Sequence, residues 1–227
     1  MKRSEINALI DDAVRLLHAH HMRLPPFAYW SPADWEHKGA ECDEIRRCKL
    51  GWDVTDFGSG AFDRVGLVVF TLRNGHHQLA PYTGKPYGEK ILIVRENQHT
   101  PMHHHVRKGE DIICRSGGTL RCQVYNRAGD GSLAHTEVEV SLDGVRHRVE
   151  AGHTFALPPG TSITLPPRLY HEFWAEAGTG TSIVGEVSSV NDDETDNVFV
   201  AKLGRFPSID EDVPATHRLC TEYAPMS

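Results

Sequence analysis

The chain has 227 residues, of which 39% are hydrophobic, so it is long enough to bury the core of one barrel-sized domain. Its formal net charge of −7 argues against nonspecific binding to nucleic acid or to an anionic membrane. No apolar run reaches transmembrane length, and the basic N-terminus lacks the apolar stretch of a signal peptide, so we expect a cytoplasmic protein.

The N-terminal segment is predicted to form a helix that docks on the rest of the protein. Ser4 is the expected N-cap, and the helix should run to about His20. Prolines then predict an extended stretch over residues 24–30, and Pro32 should begin a second, short helix. The first helix is recognised by apolar residues that recur on one face, namely Ile6, Leu9, Ile10, Ala13, Val14, Leu16 and Leu17.

From residue 65 onwards the pattern is typical of short strands. Asn74-Gly75 and Asp143-Gly144 are signals for tight hairpin turns. Many short strands separated by Gly, Pro and Asp indicate an all-β barrel or sandwich. The predicted strands cover residues 65–72, 90–94, 103–105, 110–115, 119–125, 136–141, 145–149, 154–157, 169–174 and 182–187. Five cysteines without a C-x-x-C pair are expected to be reduced thiols.

Two histidines and a glutamate have the spacing of converging metal ligands. On a strand His103 and His105 point to one face, while His104 points to the other. A turn over residues 107–109 should return the chain as a second strand that begins with Glu110, forming a hairpin. Three ligands from one hairpin leave coordination positions open, which is the arrangement of a catalytic metal site.

This motif resembles the first of the two motifs of the cupin superfamily, although Asn97 stands where that family has glycine. The resemblance implies a second motif, and Gly160, Pro166 and His171 have its spacing, which makes His171 the fourth ligand. Arg168 and Ala175 depart from the usual glycine and asparagine of that motif. A competing alignment over 152–160 would place Ile163 at the ligand position, and isoleucine cannot bind a metal.

A closer resemblance extends over nearly the whole chain, to the D-lyxose isomerase family. The residues that carry it are 26–30, 100–105, 108–111, 185–193 and the pair Asp196-Asn197. The resemblance implies a metal-binding cupin barrel that interconverts D-lyxose with D-xylulose and D-mannose with D-fructose, using one divalent ion, usually manganese. Because cupins commonly pair, it also implies a homodimer. We expect one cupin domain over 1–227, with helices and an extended segment over 1–60, the barrel over 61–200 and a C-terminal segment over 201–227.

An aldose–ketose isomerase must move a proton between C2 and C1 of the sugar, so it needs ionisable groups near the metal. Glu186 interrupts a strand and is the first candidate base, and Asp193 in an acidic loop is the second. Lys90 lies two residues before Leu92 on the same strand, so its side chain should point to the same inner face. Lys108 lies in the turn before Glu110. Either lysine could bind sugar oxygens or stabilise a cis-enediolate. We favour proton transfer over a direct hydride shift.

Three further residues are candidates for substrate binding. Phe173 lies two residues beyond His171 and should point with it into the interior, although core packing is also a common role for such a residue. The family resemblance implies that Trp30 helps to wall the pocket, and Arg205 could bind a distal hydroxyl. Two other functions use the same ligands: an iron-dependent cupin dioxygenase acting on a small organic substrate, and a non-catalytic sugar-binding cupin.

Overall fold

The computed structural model describes residues 1–223, so the last four residues of the expected C-terminal segment lie outside the described part. The helices are α1 (Arg3–Ala19), α2 (Pro32–Trp35) and α3 (Asp43–Arg47), with 3-10 turns at Pro26–Tyr29, Ala40–Cys42 and Tyr82–Gly84. The strands are β1 (Gly51–Thr55), β2 (Leu67–Arg73), β3 (Tyr87–Val94), β4 (Thr100–His105), β5 (Glu110–Gly117), β6 (Leu120–Arg127), β7 (Leu133–Ala134), β8 (Val138–Leu142), β9 (Val145–Val149), β10 (Thr154–Leu157), β11 (Ser162–Leu165), β12 (Tyr170–Ala175), β13 (Ser182–Ser189) and β14 (Asn197–Phe199).

The strands form two facing sheets, which confirms the predicted mainly β cupin class. The larger sheet has eight strands in the order β1-β2-β3-β13-β5-β11-β8-β9, and the smaller has the order β10-β6-β12-β4-β14. Alternate residues of both sheets point between them and form one apolar core. This core includes Val69, Leu92, Ile112, Cys122 and Val184.

Helix α1 covers the outer face of the larger sheet, as its apolar face predicts. Ile6, Ile10 and Leu17 are buried against outward residues of β1, β2 and β3. The predicted cap is wrong, because α1 begins at Arg3 after Lys2, and the Ser4 hydroxyl donates instead to Asp212. The second helix is confirmed, since Ser31 and Asp34 form a capping box around Pro32 at the first position.

Two turn predictions have different outcomes. Asp143-Gly144 is a two-residue hairpin turn with positive φ at both residues, and it joins β8 to β9. The Asn74-Gly75 prediction is wrong, because residues 74–86 intervene before the partner strand β3. The extended stretch is also partly wrong, since residues 26–29 form a 3-10 turn.

The predicted histidine hairpin is wrong as well. Strand β4 pairs with β12 and β14 in the smaller sheet, whereas β5 pairs with β13 and β11 in the larger sheet. Residues 106–109 therefore cross from one sheet to the other. This crossing brings ligands from opposite walls of the barrel together. Within residues 1–223 no helix is long and apolar enough to cross a membrane.

Candidate functional site

Three histidines converge between the two sheets. His103 and His105 lie on β4, and His171 lies on the neighbouring β12, directly opposite His103 in the register. All three are buried, and one ring nitrogen of each lies within 4.8 Å of the others, so this group could hold a metal ion. His104 is on the opposite face of β4, where its ring contacts Tyr170. His171 thus lies with the other two histidines, whereas Ile163, the ligand position of the competing alignment, lies in the apolar core.

Backbone carbonyls orient two of these imidazoles. Nδ1 of His103 lies 2.7 Å from the Pro101 oxygen, and Nδ1 of His171 lies 3.0 Å from the Leu169 oxygen. A carbonyl oxygen only accepts, so each Nδ1 carries a proton, and in the neutral ring Nε2 presents a lone pair. This is the tautomer that a metal-binding histidine adopts when its second nitrogen donates to the protein.

Glu110 approaches two of these histidines from the opposite sheet. Its Oε1 lies 2.9 Å from Nε2 of His171 and 3.4 Å from Nε2 of His105. Nε2 of His171 is buried and has no hydrogen-bond partner among residues 1–223. Facing lone pairs repel at this distance, so a cation between them, either a metal ion or a proton, stabilises the contact. Three imidazole nitrogens and one carboxylate oxygen therefore fit a divalent transition-metal ion.

Electrostatics keep His103, His105 and Glu110 in the protonation state that binds a metal. Burial lowers the pKa of His103 well below its usual 6.5, and the nearby imidazoles lower it further. Burial and the charge of Lys108 also lower the pKa of His105. Burial would raise the pKa of Glu110, but the Lys108 ammonium together with His105 and His171 outweighs it and holds this pKa well below 4.5. Neutral imidazoles and an ionised carboxylate bind a metal without first losing a proton.

Two lysines and Glu186 lie beside the donor set. Nζ of Lys108 lies 2.6 Å from Glu110 and 2.8 Å from Glu186, and Nζ of Lys90 lies 3.5 Å from Glu186. Lys90 and Glu186 face each other across β3 and β13, so the predicted inward parity of Lys90 is confirmed. Burial would raise the pKa of Glu186, but the charges of Lys108 and Lys90 lower it overall. Glu186 is therefore ionised at neutral pH.

A second charged group closes the cavity. Arg205 is largely buried, with 12% of its side chain exposed, and it bridges Asp193, at 3.3 Å, and Asp53, at 2.6 Å. The usual surface-loop role of such an arginine does not apply here. Burial would raise the pKa of Asp193, but the charges of Arg205 and Lys90 hold it well below 3.8. Sequence reasoning missed Asp53. A carboxylate between the apolar residues Trp52 and Val54 of β1 indicates a site residue in the same way as Glu186 does in its strand.

All of these side chains except His171 and Asp53 line one cavity of about 440 Å³, including its open mouth. Phe173 forms part of the wall and part of the core, so its expected inward direction is confirmed. Trp30 does not line the cavity, because its ring packs on Trp35 and Phe27 outside the larger sheet. The prediction that Trp30 forms part of the cavity wall of its own chain is therefore wrong. Sequence reasoning did not assign seven further lining residues to the site, namely Phe57, Leu67, Val69, Leu92, Thr100, Asn197 and Phe199.

Comparisons with known proteins agree in sequence and in fold. A family model described as D-lyxose isomerase matches residues 1–223. The D-lyxose/D-mannose isomerase of Escherichia coli O157:H7 is 50% identical over 224 residues, which is 98% of this chain and 98% of that protein. The D-lyxose/D-mannose isomerase of Serratia proteamaculans is 48% identical over the same share of both chains.

Among solved structures, the L-ribose isomerase of Cellulomonas parahominis, determined with L-ribose, superposes with a TM-score of 0.62. The superposition covers 92% of this chain and 98% of the L-ribose isomerase chain, and the two sequences are 19% identical. At this identity the similarity establishes a shared fold.

Proposed function

Because this chain belongs to the D-lyxose isomerase family, we propose that it interconverts D-lyxose with D-xylulose and D-mannose with D-fructose. The observation that carries the proposal is a three-histidine, one-glutamate donor set beside a buried carboxylate and two buried lysines. An oxygenase acting on an apolar substrate has no need of these charges. A sensor would have no need of a candidate base at Glu186. Both alternatives are therefore less well supported.

We propose that His103, His105, Glu110 and His171 hold one divalent ion, with manganese as the working assignment. The lone pairs that meet between His171 and Glu110 support this site. When bound, the ion supplies Lewis-acid polarisation of the sugar oxygens.

The charge of the cavity supports a divalent ion rather than a monovalent one. Lys90, Lys108 and Arg205 face Glu110, Glu186, Asp193 and Asp53, so this cluster carries one formal negative charge. Two added positive charges leave a net positive site, which stabilises the negative charge that develops on a cis-enediolate.

Glu186 is our first choice as the base that moves the proton between C2 and C1. It is ionised, it lines the cavity, and its neighbours Lys90 and Lys108 are placed to stabilise charge on the sugar oxygens. Asp193 is the second choice. It already accepts contacts from Arg205, Asn191 and Asn197, so less of its carboxylate is free for a proton. An ionised base in the cavity favours proton transfer over a hydride shift, which needs none.

Arg205 and Phe173 are proposed to bind the distal part of the sugar. Nη1 of Arg205 is buried without a hydrogen-bond partner in the described part of the chain, so it can donate to a hydroxyl. Phe173 offers an apolar surface to the carbon chain. Trp30 is left out of this pocket.

We further propose a cytoplasmic homodimer of one cupin domain over 1–227, in which the barrel begins at β1 and therefore before the expected boundary at residue 61. The packing of α1 on the barrel sheet supports the single domain. Five buried free thiols support a reducing compartment. Strand β14, at the edge of the smaller sheet, carries the exposed Val198 and supports pairing of copies.

The test is a sugar screen on chelator-stripped protein before and after manganese is added. We expect ketose from D-lyxose and D-mannose only after addition. In deuterium oxide, fructose formed from mannose should carry solvent deuterium at C1. Oxygen consumption with a small organic substrate and no sugar turnover would transfer the assignment to the dioxygenase. Binding of a sugar without turnover would favour the non-catalytic protein. Complete retention of the original hydrogen would favour the hydride shift, although a shielded base can mimic it.

A further inference from the structure

Asn74 is buried, and its side-chain amide forms hydrogen bonds with the backbone of the acidic loop over residues 191–196. It is 5% exposed and immediately follows β2. Its Nδ2 donates to the Asn191 oxygen at 3.0 Å, and its Oδ1 accepts from the Asn191 nitrogen at 2.9 Å. Nδ2 also donates to the Cys48 oxygen at 3.3 Å. Both polar groups of Asn74 are therefore used to fix the backbone at Asn191.

Asn191 in turn connects the charged side chains of the cavity. Its Oδ1 accepts from Nζ of Lys90 at 2.6 Å and from Nζ of Lys108 at 3.5 Å. Its Nδ2 donates to Asp193 at 2.9 Å. Only one orientation of the amide satisfies these contacts, because the oxygen must face the ammonium groups and the nitrogen must face the carboxylate.

The position of Asn74 depends on its neighbour Gly75. A Cβ at residue 75 would lie 1.7 Å from the Lys85 oxygen, so any larger residue would push these two chain segments apart. The Asn-Gly pair that had predicted a hairpin turn thus serves a different purpose. Glycine permits the close approach of backbone, and asparagine then reaches the loop at Asn191.

We propose that Asn74 is a positioning residue for isomerisation, acting through Asn191 on Lys90 and Lys108; this rests on the proposed function. Asn74 does not line the catalytic cavity. The two ammonium groups that Asn191 holds are those that contact Glu186. Without the hydrogen bonds from Asn74, Asn191 can shift, and the ammonium groups of Lys90 and Lys108 then move relative to Glu186. A misplacement of about 1 Å can cost roughly 100-fold in rate.

The test compares kcat, KM and manganese content of the full chain with D-mannose. For Asn74→Ala we expect kcat to fall about 10-fold to 100-fold, with KM within about twofold and metal content unchanged. Asn74→Ser can keep one contact, so it should retain more of kcat; it also serves if the alanine variant does not fold. Asn74→Ala combined with Asn191→Ala should match Asn191→Ala alone within about twofold, because both act on one path.

The matched control is Asn126→Ala. Asn126 also secures a loop, donating to Thr136 at 2.9 Å and to the Glu137 oxygen at 2.8 Å, but it does not line the cavity. Its variant should keep the wild-type kcat. Unchanged kcat in Asn74→Ala, or effects that multiply in the double variant, would overturn the positioning role. Wild-type protein that converts neither sugar would instead overturn the proposed function, and this role with it.

Discussion

Strands β3 and β13 carry opposite chemistry on their two faces. Outward, Ile93 and Ile183 face each other in the register and pack beneath α1. Inward, Lys90 and Glu186 face each other within the cavity. The same two backbones therefore supply an apolar docking surface for the helix and a charged wall for the candidate site.

The two faces differ in what they contribute to folding. Full burial of an aliphatic side chain stabilises the fold by about 1.5–3 kcal/mol, so the outward face contributes stability directly. A buried ion pair loses hydration that its attraction often fails to offset, so apolar replacements can be neutral or stabilising. The inward charges are thus poorly explained by stability and well explained by chemistry.

Removing a metal ligand should give the largest effect on the inward side. For His171→Ala we expect manganese content and activity to fall together, by more than about 100-fold, because even outer contacts of metal ligands can cost 10-fold to 100-fold. Metal analysis and D-mannose turnover measure this. The exposed His135 gives a control, and His135→Ala should be unchanged. A metal-replete, fully active His171→Ala protein would contradict the assigned ligand set.

Neutralising the candidate base should separate chemistry from metal binding. Glu186→Gln keeps the shape of the side chain, so metal content should persist while turnover falls about 100-fold to 10,000-fold, the usual range for general acid–base catalysis. Asp193→Asn is the companion variant. Near-normal rates in both, with the original hydrogen retained at C1, would exclude both carboxylates as bases. Glu139→Gln on the exposed side of β8 is the control.

On the outward face a substitution should affect stability and not chemistry. Ile10 is fully buried between α1 and the larger sheet. Ile10→Ala should lower the free energy of unfolding by about 2–5 kcal/mol through lost burial and a cavity, with kcat of the folded fraction unchanged. Urea denaturation and kinetics at low temperature measure the two quantities. A strong loss of kcat without loss of stability would break the division between the faces, and Asp11→Ala on the exposed side is the control.

Low pH should reduce the free energy of unfolding through protonation of Asp193, and we expect this to be the smallest effect. The pKa of Asp193 lies below its ordinary 3.8 in the folded protein, so the unfolded chain binds more protons in the interval between the two values. This stabilisation is complete above 3.8 and is lost as the pH falls through the folded-state pKa. Urea midpoints measured against pH should fall more steeply for wild type than for Asp193→Asn, and equal slopes would contradict the shift.

Particular residues show how far sequence reasoning reached. The inward direction of His103, His105 and Lys90 followed from the two-residue period of a strand, and the structure agrees. The choice of His171 followed from spacing and from the inability of isoleucine to bind a metal. By contrast, the supposed hairpin of β4 and β5 and the Asn74-Gly75 turn were local interpretations of residues whose partners are distant in sequence. The wall position of Trp30 came from the family resemblance and not from a local pattern.

By itself the sequence determined which side chains share a face, where α1 is apolar and which residue types could bind a metal. These properties follow from backbone geometry that repeats every two or 3.6 residues, so they are readable locally. Only the tertiary structure decided that β4 and β5 belong to different sheets, and that Arg205 bridges Asp53 and Asp193. Such partners are selected when whole faces are buried together and long loops close, so no short window of sequence contains them.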